Sequence, residues 1–245
     1  MKSKTITRSN IYLPMAALIL TAALAVSAAA QKQVDFTPID VPGASLTLAR
    51  DINPHGDIVG FYVAGVTSHG FLLHEGTFTD IDVPGASATR PRAINPRGDI
   101  VGFYGAGGTN HGFLLDTEGT FTTTDVPGAS STLALGINPR GDIVGRYDAG
   151  GTTHGFLLDK EGNFTTIDVP GASSTMAIGI NARGDIVGQY SAGGSNHGFL
   201  LDKEGSFTTI DVPGASSTSA LGINPRGDIV GDYSAGGISH GFLAQ

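Results

Sequence analysis

The sequence predicts an all-β fold, a five-bladed β-propeller of four-stranded blades, from three observations. Near-identical segments recur along the chain and fill residues 31–245. Each segment contains four short runs of strand character, separated by Gly-rich or Pro-Gly turns. The order of these runs at the two ends of the chain fits a closed ring. The repeats begin at spacings of 42, 43, 43 and 43 residues, at Phe36, Phe78, Phe121, Phe164 and Phe207.

The third segment shows the four runs of one blade, at residues 132–138, 142–147, 154–158 and 164–169. Four strands in roughly 43 residues are typical of a propeller blade. The chain opens on a copy of the fourth run, at residues 36–41, and ends on a copy of the third, at residues 241–244. We therefore expect the ring to close by pairing of this N-terminal strand with the C-terminal blade. An open β-solenoid is the alternative, although it would be expected to carry atypical caps at its ends.

The first 30 residues differ from the repeats. Three cations precede an apolar run at residues 15–26 that ends in small residues, which is typical of a signal peptide. We expect a signal peptide over residues 1–30, a single propeller domain over residues 31–245, and a secreted or periplasmic protein. The apolar run is short for a membrane span, so no membrane insertion is expected after cleavage. Because the chain has no Cys, it has neither a lipobox cysteine nor disulfides.

The net charge of the chain disfavours some classes of binding partner. The net charge is −8, and the leader holds three cations and no acidic residue, so the repeat domain is more acidic than the whole chain. Nucleic acids and anionic membranes bind basic surfaces, and we expect neither as a partner. No sequence feature calls for a cofactor, and we expect a monomer.

Four of the five turns between the first and second strands contain Arg-Gly-Asp, which in other settings is an adhesion signal. In the third copy, Asn138-Pro139-Arg140-Gly141 fits a type I turn, with Gly at the position that needs a positive φ. Asn138 and Asp142 then close a three-residue hairpin loop. The triplet therefore follows from a repeated turn rule, and we expect it to be poorly displayed for adhesion.

A histidine recurs in the third strand of every blade, and the hairpin register places an aspartate opposite each one. In the first unit a shorter turn at Glu75-Gly76 absorbs a one-residue deletion and preserves this pairing. We expect structural hydrogen bonds and no metal, because strand spacing puts these histidines about 10 Å or more outside the inner strands, too far apart to share one ion. The expected pairs are His69 with Asp82, His111 with Asp125, His154 with Asp168, His197 with Asp211, and His240 with Asp40.

The residues that differ between units are the better candidates for a ligand site. Units one and two carry Arg50 and Arg92 where the other units have Leu or Ile, and Asp51 and Arg90 also break the pattern. The first strand should line the channel, so these charges could form one off-centre, anion-attracting site. The alternative is drift of an exposed strand end.

Phe61 and Phe103 stand where the other three units have polar side chains. Together they could form a local apolar patch that stacks a sugar ring. Packing in the core is an equally good interpretation of both residues.

The repeat resembles the bacterial extracellular HAF repeat. The resemblance rests on residues 136–145, which read Gly-Ile-Asn-Pro-Arg-Gly-Asp-Ile-Val-Gly, and on the following residues 154–157, His-Gly-Phe-Leu. It covers all five units and departs in having Gly after the His, and Leu158 where an aromatic often sits. The family implies export and a propeller-like structure without an assigned activity. The architecture is also similar to tachylectin, a sugar-binding five-bladed propeller, by analogy of fold.

Three functions are compatible with this reading. A secreted, non-enzymatic protein that binds a glycan or another small polar ligand fits best, because no unique catalytic set stands out among the equally repeated Ser, His and Asp residues. An enzyme acting on extracellular polysaccharide would need carboxylates unique to particular blades. A structural or adhesive surface protein would bind no soluble ligand.

Overall fold

The computed structural model describes residues 35–245, and every regular element within them is a β-strand. The predicted signal peptide lies outside the described residues. Within the described part of the chain no helix is available that could cross a membrane. Residues 38–245 form one compact unit.

In the described residues nineteen strands make up five sheets. The first sheet contains β1 (Leu46–Ile52), β2 (Ile58–Ala64), β3 (Thr67–His74) and β4 (Thr77–Ile81). The second contains β5 (Ala88–Ile94), β6 (Ile100–Ala106), β7 (Thr109–Leu115) and β8 (Phe121–Thr123). The third contains β9 (Ser131–Ile137), β10 (Ile143–Ala149), β11 (Thr152–Leu158) and β12 (Phe164–Ile167). The fourth contains β13 (Ser174–Ile180), β14 (Ile186–Ala192), β15 (Ser195–Leu201) and β16 (Phe207–Ile210). The fifth contains β17 (Ser217–Ile223), β18 (Ile229–Ala235) and β19 (Ile238–Ala244).

The sheets are the blades of a five-bladed β-propeller, as the sequence predicts. Each is an antiparallel meander whose strands follow chain order. The first strands of successive blades pack on one another in the order β1, β5, β9, β13 and β17, which makes them the inner strands. The strand bounds of the third blade match the four predicted runs to within three residues.

The core is divided among the junctions between blades. Each internal junction combines a fully buried Val of one blade with Ile side chains of the next, as Val59 does with Ile94 and Ile100. Inside each of the first four blades a Phe of the third strand is almost completely buried. In the third blade this is Phe156, and its ring meets that of Phe164 edge to face at 5.7 Å. Because each of these junction Val side chains is buried by the following blade, much of the core depends on contacts between neighbouring blades.

The hairpins follow the predicted turn chemistry. In the third blade Asn138 N donates to Asp142 O and Gly141 N donates to Asn138 O, both at 3.0 Å, and Gly141 has a φ of 96°. In the shorter turn of the first blade Glu75 and Gly76 both have positive φ, and His74 pairs with Thr77. The deletion is thus absorbed in the turn and the strand register is kept.

The predicted closing strand at residues 36–41 does not form, and the fifth sheet ends at β19 with three strands. Pairing would require the first and last blades to pack together, and among the described residues β17 does not pack on β1 as the other inner strands pack on their neighbours. The predicted pair of His240 with Asp40 is absent for the same reason. Both side chains are exposed, and no hydrogen bond joins them.

Candidate functional site

One cavity of about 410 Å³ is lined by the inner strands of all five blades. Arg50, Asp51 and Arg92 line it on the side of the first two blades. Leu135, Ile178 and Leu221 line it on the side of the other three. Three of the four charged residues predicted for the off-centre site, Arg50, Asp51 and Arg92, therefore line one cavity, whereas Arg90 does not.

A β-bulge explains why these side chains meet. Each inner strand has one extra residue in its pairing with the second strand, between Ala49 and Asp51 in the first blade and between Pro91 and Ala93 in the second. A bulged residue leaves the regular alternation of faces and is aimed differently from its neighbours. The bulged residues, one per blade, are also the ones that line the cavity: Arg50, Arg92, Leu135, Ile178 and Leu221.

A third arginine joins the first two through an aromatic ring. The guanidinium carbons of Arg50 and Arg90 each lie 5.1 Å from the centroid of Phe61, within the range of a cation–π contact. Phe61 is only 6% exposed, so it packs between arginines and offers no free face to a sugar ring. Arg90 donates from Nη2 to Ser68 Oγ at 3.1 Å, whereas its buried Nε has no hydrogen-bond partner.

The cluster carries excess positive charge. Among the described residues no carboxylate oxygen lies within 4.0 Å of a nitrogen of Arg50, Arg90 or Arg92. Burial lowers the pKa of Arg92, and the nearby charges of Arg50 and Arg90 lower it further. Three cations that repel one another in a partly desolvated place are stabilised by an added anion.

Asp51 does not neutralise these arginines. Its Oδ1 accepts a hydrogen bond from Ile52 N and its Oδ2 one from Ile94 N of the next blade, both at 2.9 Å. Burial raises the pKa of Asp51, against the lowering effect of the two backbone donors. The carboxylate therefore fastens the first inner strand to the second, and both of its oxygens are occupied.

Phe103 lies apart from Phe61. It is half-buried and lines a separate cavity of about 280 Å³ with Arg90, Ser87 and Asn110. The two Phe residues thus form no common patch, and the buried position of Phe61 agrees with the alternative of packing in the core. Arg90 connects the two places because it pairs with Phe103 across the strands and also reaches Phe61.

The histidines lie in hydrogen-bonded pairs near the outer edge of the blades. Nδ1 of His69, His111, His154 and His197 lies 2.6 to 2.9 Å from a carboxylate oxygen of Asp82, Asp125, Asp168 and Asp211, respectively. A Tyr of the second strand stacks on each ring, as Tyr147 does on His154 at 5.1 Å. No group of three or more His, Asp or Glu side chains that could hold a metal occurs in residues 35–245.

Grooves also lie between adjacent blades. One of about 500 Å³ lies between the first and second blades, and one of about 620 Å³ between the second and third. Their walls are built from equivalent residues, such as Leu72 and Leu114, together with Thr side chains of the fourth strands. These grooves repeat, whereas the arginine cluster occurs once.

The Arg-Gly-Asp turns are engaged within the fold. Asp142 is buried and accepts hydrogen bonds from the side chains of Asn138 and Arg140. Arg140 also donates from Nη1 to the carbonyl of Ala182 in the next blade at 3.1 Å. Arg97 and Arg183 make the corresponding contacts at 3.4 and 3.2 Å. In these three copies the arginine of the triplet therefore joins neighbouring blades, and the Asp142 carboxylate already accepts hydrogen bonds within the fold.

The geometry defines the class of the protein as a β-propeller, and comparison with solved structures agrees. The chain superimposes on streptogramin B lyase with a TM-score of 0.53 and 15% identity, covering 82% of this chain and 69% of that one. It superimposes on TolB from Acinetobacter baumannii with a TM-score of 0.58 and 17% identity, covering 82% and 55%. A structure described as one of two prolyl endopeptidases gives a TM-score of 0.58 at 12% identity, covering 82% and 35%. At such identities the likeness concerns the fold alone. No family model and no curated protein matches the sequence.

Proposed function

We propose that this protein is a secreted, non-enzymatic module that binds a glycan or another small polar ligand in its central cavity, through an anionic group on that ligand. The observation that carries the proposal is the cluster of Arg50, Arg90 and Arg92, which has no carboxylate partner and adjoins a cavity of about 410 Å³. Arginine binds a carboxylate through two parallel hydrogen bonds, and such charge-assisted pairs are strong in a partly desolvated site.

The rest of the cavity supports a ligand with an apolar face. Leu135, Ile178 and Leu221 lie on the side away from the arginines. A sugar acid has this combination, because its ring presents C–H groups while its carboxylate carries the charge. Small-molecule sites commonly combine apolar walls with a few orienting polar groups.

The arrangement favours binding over hydrolysis. Asp51 is the one carboxylate among the described residues on this cavity, and both of its oxygens accept backbone hydrogen bonds. Hydrolysis of a glycosidic bond by the common mechanism needs a pair of carboxyl groups about 5 to 10 Å apart. Export, as expected from the leader, would expose the site to extracellular glycans.

The test is calorimetry with matched probes, an oligosaccharide of glucuronic acid and one of glucose. We expect the acidic probe to bind at one per chain and the neutral probe to bind at least tenfold more weakly. The double variant Arg50→Leu/Arg92→Leu should lose at least tenfold in affinity for the acidic probe. Arg146→Leu is the control, because Arg146 lies off the cavity and pairs with Asp148 at 3.6 Å.

Three results would count against the proposal. If the Leu double variant bound the acidic probe as tightly as the unchanged protein and was more stable to unfolding, the arginines would be sequence drift without a role in binding. A stoichiometry near five per chain would place binding in the repeated grooves. Release of reducing ends from the probe would instead support an enzyme.

A further inference from the structure

The last blade exposes a face that every other blade buries. Val230 of β18 is 50% exposed, whereas its counterparts in the other four blades are fully buried. Leu243 on β19 is 60% exposed. The buried counterparts of Val230 are Val59, Val101, Val144 and Val187.

The first blade exposes the complementary face. Ile52 is 60% exposed, whereas Ile94, at the same place in the second blade, is 6% exposed. At the junction of the first two blades Val59 packs in one cluster with Ile94, and Val187 packs with Ile223 at the junction of the last two. Val230 and Ile52 are therefore the two halves of one more junction of the same kind.

Gly241, in the third strand of the last blade, also lacks the close neighbours that its counterparts have. A Cβ on Gly198 would lie 2.7 Å from Ile210 O of the fourth strand of its own blade and 3.3 Å from Ala220 N of the next inner strand. One on Gly155 would lie 2.9 Å from Ile167 O and 3.3 Å from Ala177 N. These glycines allow close approach of both the fourth strand and the next blade. A Cβ on Gly241 would meet nothing nearer than 3.8 Å. The last blade thus keeps a glycine that its own surroundings do not require.

The turn arginine of the last blade also lacks its partner. Arg97, Arg140 and Arg183 each donate to a carbonyl in the turn of the following blade. Within residues 35–245 the guanidinium of Arg226 donates only to Asp228 of its own turn, and the Arg226 side chain is 80% exposed. The matching acceptors are the carbonyls of the first turn, Asn53–Asp57, to which no preceding blade donates in the described structure.

We propose that these two faces join between two copies of this chain, with the last blade of one copy packed against the first blade of its neighbour. The last blade carries the exposed apolar surface, Gly241 and the arginine donor Arg226. The first blade carries Ile52 and the carbonyl acceptors of its turn. Both halves reproduce the four junctions inside the chain, so a second copy fits them without new chemistry. The contact is head-to-tail, which leads to a closed ring or an open chain of copies.

The unpaired edge of β19 supports the same partner. In the other four blades the third strand pairs with a fourth, but β19 has none. Residues 38–41 have the sequence of the end of a fourth strand. They lead into β1 through the same turn that precedes the first strand of the other blades, and Val41 N donates to Thr47 Oγ1 at 3.1 Å. A neighbouring copy seated on the first blade would present its β19 edge to this segment, by strand addition.

Cross-linking tests the contact directly, since the chain has no Cys of its own. Two single variants, Ile52→Cys and Val230→Cys, are given different tags, mixed in equal amounts and treated with a short bismaleimide. We expect a covalent heterodimer in the mixture and little dimer from either variant alone. Val66→Cys, at a fully exposed hairpin turn between β2 and β3, is the matched control and should not cross-link to Ile52→Cys above background.

Sedimentation of the unmodified protein provides the second measurement. We expect association that depends on concentration, and the Val230→Asp and Gly241→Leu variants should each weaken it at least tenfold. A monomer at all concentrations, with cross-linking confined to one chain in the Ile52→Cys/Val230→Cys double variant, would overturn the proposal in favour of closure within the chain. Dimers formed by Val230→Cys alone would also overturn it, because they would indicate a symmetric contact.

Discussion

The same substitution at two equivalent positions measures how unequal the blade junctions are. Val187 and Val230 occupy the same place in the second strands of the fourth and fifth blades. Val187 is fully buried, whereas Val230 is half exposed. Replacing each by Ala removes the same two methyl groups, so sequence context and strand propensity cancel in the comparison.

The exposed fractions of the two Val side chains determine how much free energy of unfolding each substitution should cost. At Val187 the loss of transfer free energy is about 1.6 kcal/mol, from about 0.8 kcal/mol per buried methyl group. The cavity left behind raises the cost to about 2 to 3 kcal/mol. At Val230 half of the surface is already in water and no closed cavity forms, so the cost is about 1 kcal/mol or less. In a domain of this size these values correspond to losses of about 4 to 12 °C at Val187 and at most about 4 °C at Val230 in melting temperature.

Thermal unfolding followed by circular dichroism gives both values, and it must be done at a concentration where sedimentation shows a monomer. At higher concentration the cost at Val230 should rise toward that at Val187, because association buries the exposed face. Equal losses in the monomer would refute the reasoning, since they would require Val230 to be buried by its own chain.

Two further predictions concern the turns. Asn138→Ala should destabilise the protein by about 3 kcal/mol, because the buried side-chain amide accepts hydrogen bonds from three backbone N–H groups and donates to Asp142. Chemical denaturation measures the free energy of unfolding, and a loss below about 1 kcal/mol would contradict this prediction. His74 Nδ1 lies 2.5 Å from Asp57 Oδ1, an ion pair that raises the pKa of His74, while hydrogen bonds from His74 and Asn53 lower the pKa of Asp57. The stabilisation is therefore present between these two pKa values and is lost as pH rises through that of His74 or falls through that of Asp57. His74→Asn should flatten the dependence of melting temperature on pH between about 5 and 9, and an unchanged profile would contradict the assignment.

The fold was predictable because its signals are local and repeated. Turn residues such as Gly141 and the deletion at Glu75-Gly76 fix hairpins and registers over a few residues, so the four strands of a blade follow from the sequence. Closure of the ring was not predictable in this way. It depends on packing between the first and last blades, about 200 residues apart, and a repeat copied at both ends carries no signal about whether the ends meet.

The site was predictable in its residues and not in its geometry. Arg50 and Arg92 stand out because they interrupt an apolar column of the repeat. The bulge that turns them toward the cavity is an irregularity of the backbone, and no periodicity in the sequence marks it. Nor does the sequence show that Phe61 packs between Arg50 and Arg90, a contact that requires the first two blades to be adjacent.

Repetition itself indicates where function is to be sought in this chain. The Arg-Gly-Asp turns and the His–Asp pairs recur because they join strands and blades, so their chemistry is already used by the fold. The bulged position of the inner strand also recurs, and its side chain lines the cavity in every blade. Arginine occupies it in two adjacent blades and Leu or Ile in the other three. A ring of equivalent positions with two different kinds of side chain has a charged side and an apolar side, and under the proposed function this asymmetry would orient a single ligand, which five identical positions could not do.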